Sequence, residues 1–162
     1  ANNILGVKSV ALLDFADNRM DSVDLIDVIK KIESFIQDLQ PQVLVTHHSG
    51  DLNIDHQIVH KAVITASRPQ PGCSVKRILT FEVPSSTEWQ TPSTKTAFIP
   101  NWFEDISDTL ELKNKSLNIY KSEMRDWPHS RSLESVNHLA RWRGASVGCE
   151  AAEAFMLIRQ IN

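Results

Sequence analysis

Leu25, Val28, Ile29, Ile32, Phe35, Ile36 and Leu39 recur at three- and four-residue spacing and stop just short of Pro41. That spacing stripes one face of a helix, and the proline beyond its last member ends it. Ser22 is the expected N-cap. Gln42–His47 (QVLVTH) follows at once, a short apolar run bounded by a polar loop, which is the pattern of a buried strand. A helix with one apolar stripe, followed directly by a strand of this kind, buries both surfaces only when helices are layered on a sheet.

The same change of period recurs along the chain. "NNILGV" reads as the last turn of a helix stopped by Gly6, and Val7–Phe15 reads as a strand. A helix is expected from about His56 to Ser67, and a strand over Val75–Val83. A long polar loop (PSSTEWQTPSTKT) comes next, of the kind that often carries function. The stretch from Ala97 reads as extended, with Pro100 confining it to a sheet edge. Further helices are predicted from Ser107 to about Ser122 and from Ser132 to Arg143, and "EAAEAFMLIRQ" closes the chain as strand or helix. Strands alternating with helices predict an α/β fold with a mostly parallel sheet, in a single domain over residues 1–162.

Charge and hydropathy exclude several classes. The net charge is −3 and no basic run occurs, which argues against a nucleic-acid partner. No apolar run is long enough to cross a bilayer, and the start lacks the order of a signal peptide, so a cytoplasmic location is expected. Cys73 and Cys149 lie far apart and away from the histidines, as expected of reduced thiols; a disulfide or a Cys-based zinc site is the alternative.

Val45–His60 (VTHHSGDLNIDHQIVH) holds four of the six histidines and two aspartates. It spans a strand end, a loop and the first turn of a helix, where open α/β sheets bind ligands. Asp55 can cap the helix, and the helix dipole keeps His56 neutral, the form that binds metal. Asp51 or Asp55 can hold the second ring nitrogen and fix the tautomer. His56 and His60 are four residues apart on one helical face, a spacing that suits zinc but equally suits a partly buried polar residue. His47 and His48 are adjacent in a strand, so one must point away from any site that the other joins.

"THHSGDLNIDHQIVHKAVITASRP" resembles the second zinc motif of the PIG-L/LmbE-like N-acetylglucosaminyl deacetylases, usually His-Pro-Asp-His followed by a helix. "FEVPSSTEW", "HSRS" and "RGASVGCEAAEAF" match in order, and "LLDFADNRMD" looks like the loop that shapes the family's substrate pocket. The resemblance implies a Rossmann-like fold and a zinc-dependent hydrolase that removes acetyl groups from N-acetylated sugars or similar amides. It implies His56 as a zinc ligand, Asp55 in a supporting catalytic role, and Asn53 where the family has the histidine facing the oxyanion. It further implies substrate contacts from Asp17 and Arg143. His47, His48, Asp51, His60 and His129 are further candidates for the site.

The family's first motif, Ala-His-Pro-Asp-Asp-Glu, supplies a zinc histidine, the zinc aspartate and the catalytic base, and it does not occur in this sequence. The expectation is therefore an N-terminally truncated deacetylase, inactive as the isolated chain and holding zinc weakly or not at all. The alternative is a non-catalytic binding or structural module on the same fold. A sheet without the strand of that motif exposes an edge, so a homo-oligomer, most simply a dimer, is expected. N-acetylated sugars or nucleotide sugars are the expected substrates.

Overall fold

The computed structural model describes residues 1–162. A 3₁₀ turn at Met20–Ser22 precedes α1 (Leu25–Leu39), β1 (Val43–His47) and α2 (Ile54–Ala66). Then come β2 (Arg77–Phe81), β3 (Trp102–Asp105), α3 (Leu110–Leu117), α4 (Leu133–Ala145) and β4 (Ala152–Gln160). The strands form one sheet in the order β1-β2-β4-β3. The class is α/β, with a mixed sheet: β1 is parallel to β2, whereas β4 runs antiparallel to β2. A final antiparallel strand is where the structure departs from the mostly parallel expectation.

The chain divides into two compact units, one of residues Phe15–Trp102 with Phe155–Asn162, the other of Ala1–Asp14 with Phe103–Ala154. In the first, the apolar stripe of α1 meets α2, and Met20, Val28, Ile29 and Ala62 are buried together. Ala62 is fully buried, and its small side chain lets the helices approach closely. The N–H of Gln40, left-handed at φ 46°, bonds back to the Ile36 carbonyl and ends α1 before Pro41. β1 pairs with β2 from Val43↔Arg77 to His47↔Phe81, and the His48 N–H extends the ladder to the Phe81 carbonyl. β1 has no neighbour on its other side.

In the second unit, a hydrogen bond joins α3 and α4, Asn114 Nδ2 donating to Asn137 Oδ1 at 3.0 Å. Ser132 caps α4 by accepting the Ser135 N–H at 3.0 Å. Gly144, near its end, packs so tightly that a Cβ would lie 2.7 Å from the Ala151 backbone. The opening turn closes with Ile4 and Leu5 N–H groups on the Ala1 carbonyl and Gly6 at φ 69°.

Three expectations are corrected. Val7–Phe15 forms no strand: its apolar alternation has no hydrogen-bonding neighbour, and Val10 and Leu12 stay exposed. Ser22 is no helix cap, because its hydroxyl donates to the Arg19 carbonyl within the 3₁₀ turn and α1 starts after Asp24. Ser107 is likewise drawn to the Asp105 carboxylate, and α3 follows Thr109 and stops at Leu117.

Ile29→Ala removes a buried side chain from the α1–α2 contact and should cost about 2–5 kcal/mol, read as a lower urea midpoint at unchanged slope. A loss below about 1 kcal/mol would show that the two helices are not held by this core.

Candidate functional site

The loop from β1 to α2 is organised around Asp51, whose side chain is fully buried. Its Oδ1 accepts the Asn53 N–H at 2.8 Å, the His56 Nδ1–H at 2.9 Å and the Ser86 hydroxyl. Its Oδ2 accepts the Thr87 hydroxyl at 2.6 Å. Burial alone raises a carboxyl pKa, but the bonds from His56, Ser86, Thr87 and Asn53 outweigh it and hold Asp51 far below the usual carboxylate range. Gln57 and Gln90 donate to the Asp51 backbone carbonyl at 2.6 and 3.2 Å. The loop thus joins α2 to the loop after β2 through one carboxylate and one carbonyl.

Asn53 is the N-cap of α2: its Oδ1 accepts the N–H groups of Asp55, at 2.8 Å, and His56. Its Nδ2 donates to Asn18 Oδ1 at 3.0 Å. Both ends of the amide are therefore engaged in structure, with one of the two Nδ2 hydrogens used on Asn18. Asp55 does not cap the helix. It reaches back to the turn after Phe15, accepting the N–H of Asn18 at 2.7 Å and of Met20 at 2.9 Å. Asp51, not Asp55, holds the His56 ring. Asn18, at φ 54°, also donates to Asp17, which is exposed.

The histidines divide by role. The His47 ring stacks on that of His56, centroids 4.1 Å apart and 13° from parallel, and tilts against Phe81. Burial, then the neighbouring His56, lower its pKa from 6.5 to about 4, so it is neutral at pH 7. His60 donates from Nδ1 to the His47 carbonyl at 2.9 Å, and burial lowers its pKa as well. His48 points away, as an adjacent strand residue must, and its Nε2 bonds the Thr96 carbonyl at 3.0 Å while its ring meets Phe98 edge-on. Gly50 sits beneath that contact, where a Cβ would lie 2.6 Å from Thr96 Cα and 2.8 Å from His48 Nε2. His56 is the imidazole held by a carboxylate, through Nδ1–H on Asp51, which leaves Nε2 as its other ring nitrogen.

His129 and Arg143 lie in the other unit. Nδ1 of His129 accepts the Arg131 N–H at 3.0 Å, and Arg143 is half-buried in the last turn of α4. Ser86, Thr87, Asn18, Gln57, Gln90 and Thr96 went unassigned in the sequence, although "FEVPSSTEW" contains two of them.

A catalytic zinc takes three protein ligands and a water. The donor set does not fit one. No group of three or more His, Cys, Asp or Glu side chains is placed to hold a metal ion. The Asp51 carboxylate is saturated, and His48 and His60 each spend a nitrogen on a backbone carbonyl. No helix is long and apolar enough to cross a membrane.

The sequence and the fold are similar to those of known proteins. Residues 1–67 match the family described as PIG-L: GlcNAc-PI de-N-acetylase, a span that includes the whole Asp51–His56 loop. Over that span the chain is similar to the PIG-L family. It is 31% identical over 128 residues to an uncharacterized deacetylase of Escherichia coli, YaiS, covering 75% of this chain and 62% of that protein. The chain thus spans about three fifths of that relative's length. In fold it resembles the N,N'-diacetylchitobiose deacetylase of Pyrococcus horikoshii, with TM-score 0.71, 19% identity and coverage of 98% of this chain and 60% of that one. It resembles equally GalB, the 4-carboxy-2-hydroxymuconate hydratase of Pseudomonas putida, with TM-score 0.72, 22% identity and coverage of 99% and 69%.

The three depressed groups of the loop, His47, His60 and Asp51, predict an acid limb of stability. The unfolded chain protonates His47 near pH 6.5 and the folded one near 4, so stability falls as pH drops through that window. His60 adds in the same direction. The contribution of Asp51 is present above its unfolded value, about 4, and is lost only in stronger acid. Urea midpoints measured from pH 7 to 4 should fall, and His47→Gln should flatten that limb; an equal slope in both proteins would show that His47 titrates normally in the fold.

Proposed function

We propose that the protein is part of a deacetylase centre that hydrolyses the N-acetyl amide of a sugar-type substrate, an N-acetylated sugar or nucleotide sugar. The carrying observation is the His56 imidazole, oriented by a fully buried carboxylate and presenting Nε2 at the start of α2. A carboxylate behind a histidine fixes the tautomer and raises the basicity of the other nitrogen, as metal-binding histidines require. The PIG-L match and the deacetylase names of the relatives support the same reading.

A zinc ion held by His56 together with ligands from outside these residues would supply a water of lowered pKa and would polarise the amide carbonyl. These 162 residues offer His56 toward it, leaving further ligands and a base to come from outside them. The isolated chain is therefore a poor hydrolase or none. The free thiols Cys73 and Cys149 suit a reducing compartment such as the cytoplasm.

Chelator-buffered zinc titrations of the wild type and His56→Ala test this, alongside acetate release from N,N'-diacetylchitobiose. We expect weak zinc binding that falls about tenfold or more in the variant, and no acetate release above buffer. Equal zinc affinity in the two proteins, or turnover untouched by the substitution, would overturn the assignment of His56.

A second reading, an oligomeric binding or structural module, is favoured by the free edge of β1. Val43 and Val45 are 45% and 52% exposed on a strand with unpaired backbone groups on one side. Such an edge favours pairing with a second copy. Sedimentation should give a dimer at micromolar concentration, and Val45→Lys should shift it to monomer. A monomeric wild type rules the dimer out.

A further inference from the structure

We propose that a cavity at the start of α4 is a binding site for a neutral saccharide, lined by residues other than those of the histidine loop and independent of the deacetylase reading. The cavity measures about 390 Å³, within the range of small-ligand sites. Residues between α3 and α4 line it together with the first turn of α4.

Its aromatic element is Trp127, 55% exposed and braced by His138 of α4, the rings nearly perpendicular with centroids 5.6 Å apart. A large, half-open indole held in place offers an apolar face on which the C–H side of a sugar ring stacks. Met124 and Leu133 add apolar wall.

The charges decide the ligand class. Lys121 and Arg125 line the cavity with Asp126 and Glu134, two cations against two anions. A phosphate or sulfate would meet the carboxylates as well as the cations. The start of α4 does not call for an anion either, since Ser132 already caps Ser135 N–H and Glu134 occupies the first turn. Donors and acceptors of both signs around an apolar face match the hydroxyl groups of an uncharged sugar, which both give and accept hydrogen bonds. Arg125 is also held in place before any ligand arrives, its Nη1 donating to the carbonyls of Ser122 at 2.5 Å and Met124 at 2.9 Å.

Titration of the full chain with N-acetylglucosamine and N,N'-diacetylchitobiose, following the four tryptophan indole N–H resonances by NMR, tests the site. The expected result is one saturable shift at millimolar ligand, on the resonance missing from Trp127→Phe. Trp127→Ala should weaken binding about tenfold, the loss of one stacking contact. Glu134→Gln, which leaves the indole and the helix cap in place, should also weaken it, so the conclusion does not depend on one variant. Inorganic phosphate should not compete, and His56→Ala should bind as the wild type does. The absence of a saturable shift, competition by phosphate, or loss of binding in His56→Ala would each overturn the proposal. The last outcome would move the sugar to the histidine loop and leave the deacetylase reading standing.

Discussion

A single carboxylate with no solvent contact sets the geometry of the histidine loop. Asp51 is ionised inside the protein because two hydroxyls, one backbone N–H and one imidazole N–H converge on its two oxygens. Those donors come from three places: its own loop, the first turn of α2, and the loop after β2. Their shared acceptor ties together segments that the sheet alone would leave loosely joined. Thr87 extends the tie, since its hydroxyl also accepts the Val83 N–H at 2.7 Å.

The other polar groups of the loop follow from that anchor. With Asp51 holding Nδ1 of His56, Asn53 is left to cap α2 and Asp55 to grip the turn at Asn18 and Met20. His60 and His48 serve backbone carbonyls, and His47 stacks as a neutral ring. His47, His48, Asp51 and His60 thus have structural roles, and His56 keeps Nε2 beyond its bond to Asp51. The same roles explain why the histidine-rich stretch is not itself a closed metal centre. Ligands near in sequence were drawn to carbonyls, caps and rings before they could converge on a point.

The elements with strong local signals were legible in the sequence. α1 has a continuous apolar stripe and a proline stop, and both the helix and its end lie where the spacing puts them. β1 and the α2 segment are equally plain. What local pattern could not supply was partners. Val7–Phe15 has the alternation of a strand, but alternation specifies a face and not a neighbour, and without one the segment stays irregular. The site shows the same limit. His56 was recognisable from its motif, and the need for a carboxylate behind it was foreseeable. The choice of Asp51 over Asp55 depends on Ser86 and Thr87, thirty-five and thirty-six residues downstream, which turn a buried acid into a stable anion. No spacing rule reaches that far.

The energetics of that anion bear on whether the loop is scaffold or machinery. Burying a charge is expensive, and even a well-bonded buried pair contributes little net stability compared with apolar residues of the same volume. A loop needed only to connect β1 to α2 would be served as well by an apolar plug. Here the costly arrangement has one outcome that an apolar plug cannot reproduce: an imidazole of fixed tautomer and fixed orientation at a helix start. The likeness in fold to both a deacetylase and a hydratase shows that this architecture does not itself choose a reaction. In the function proposed above, that choice rests with whatever meets Nε2 of His56, for which the buried carboxylate fixes the ring.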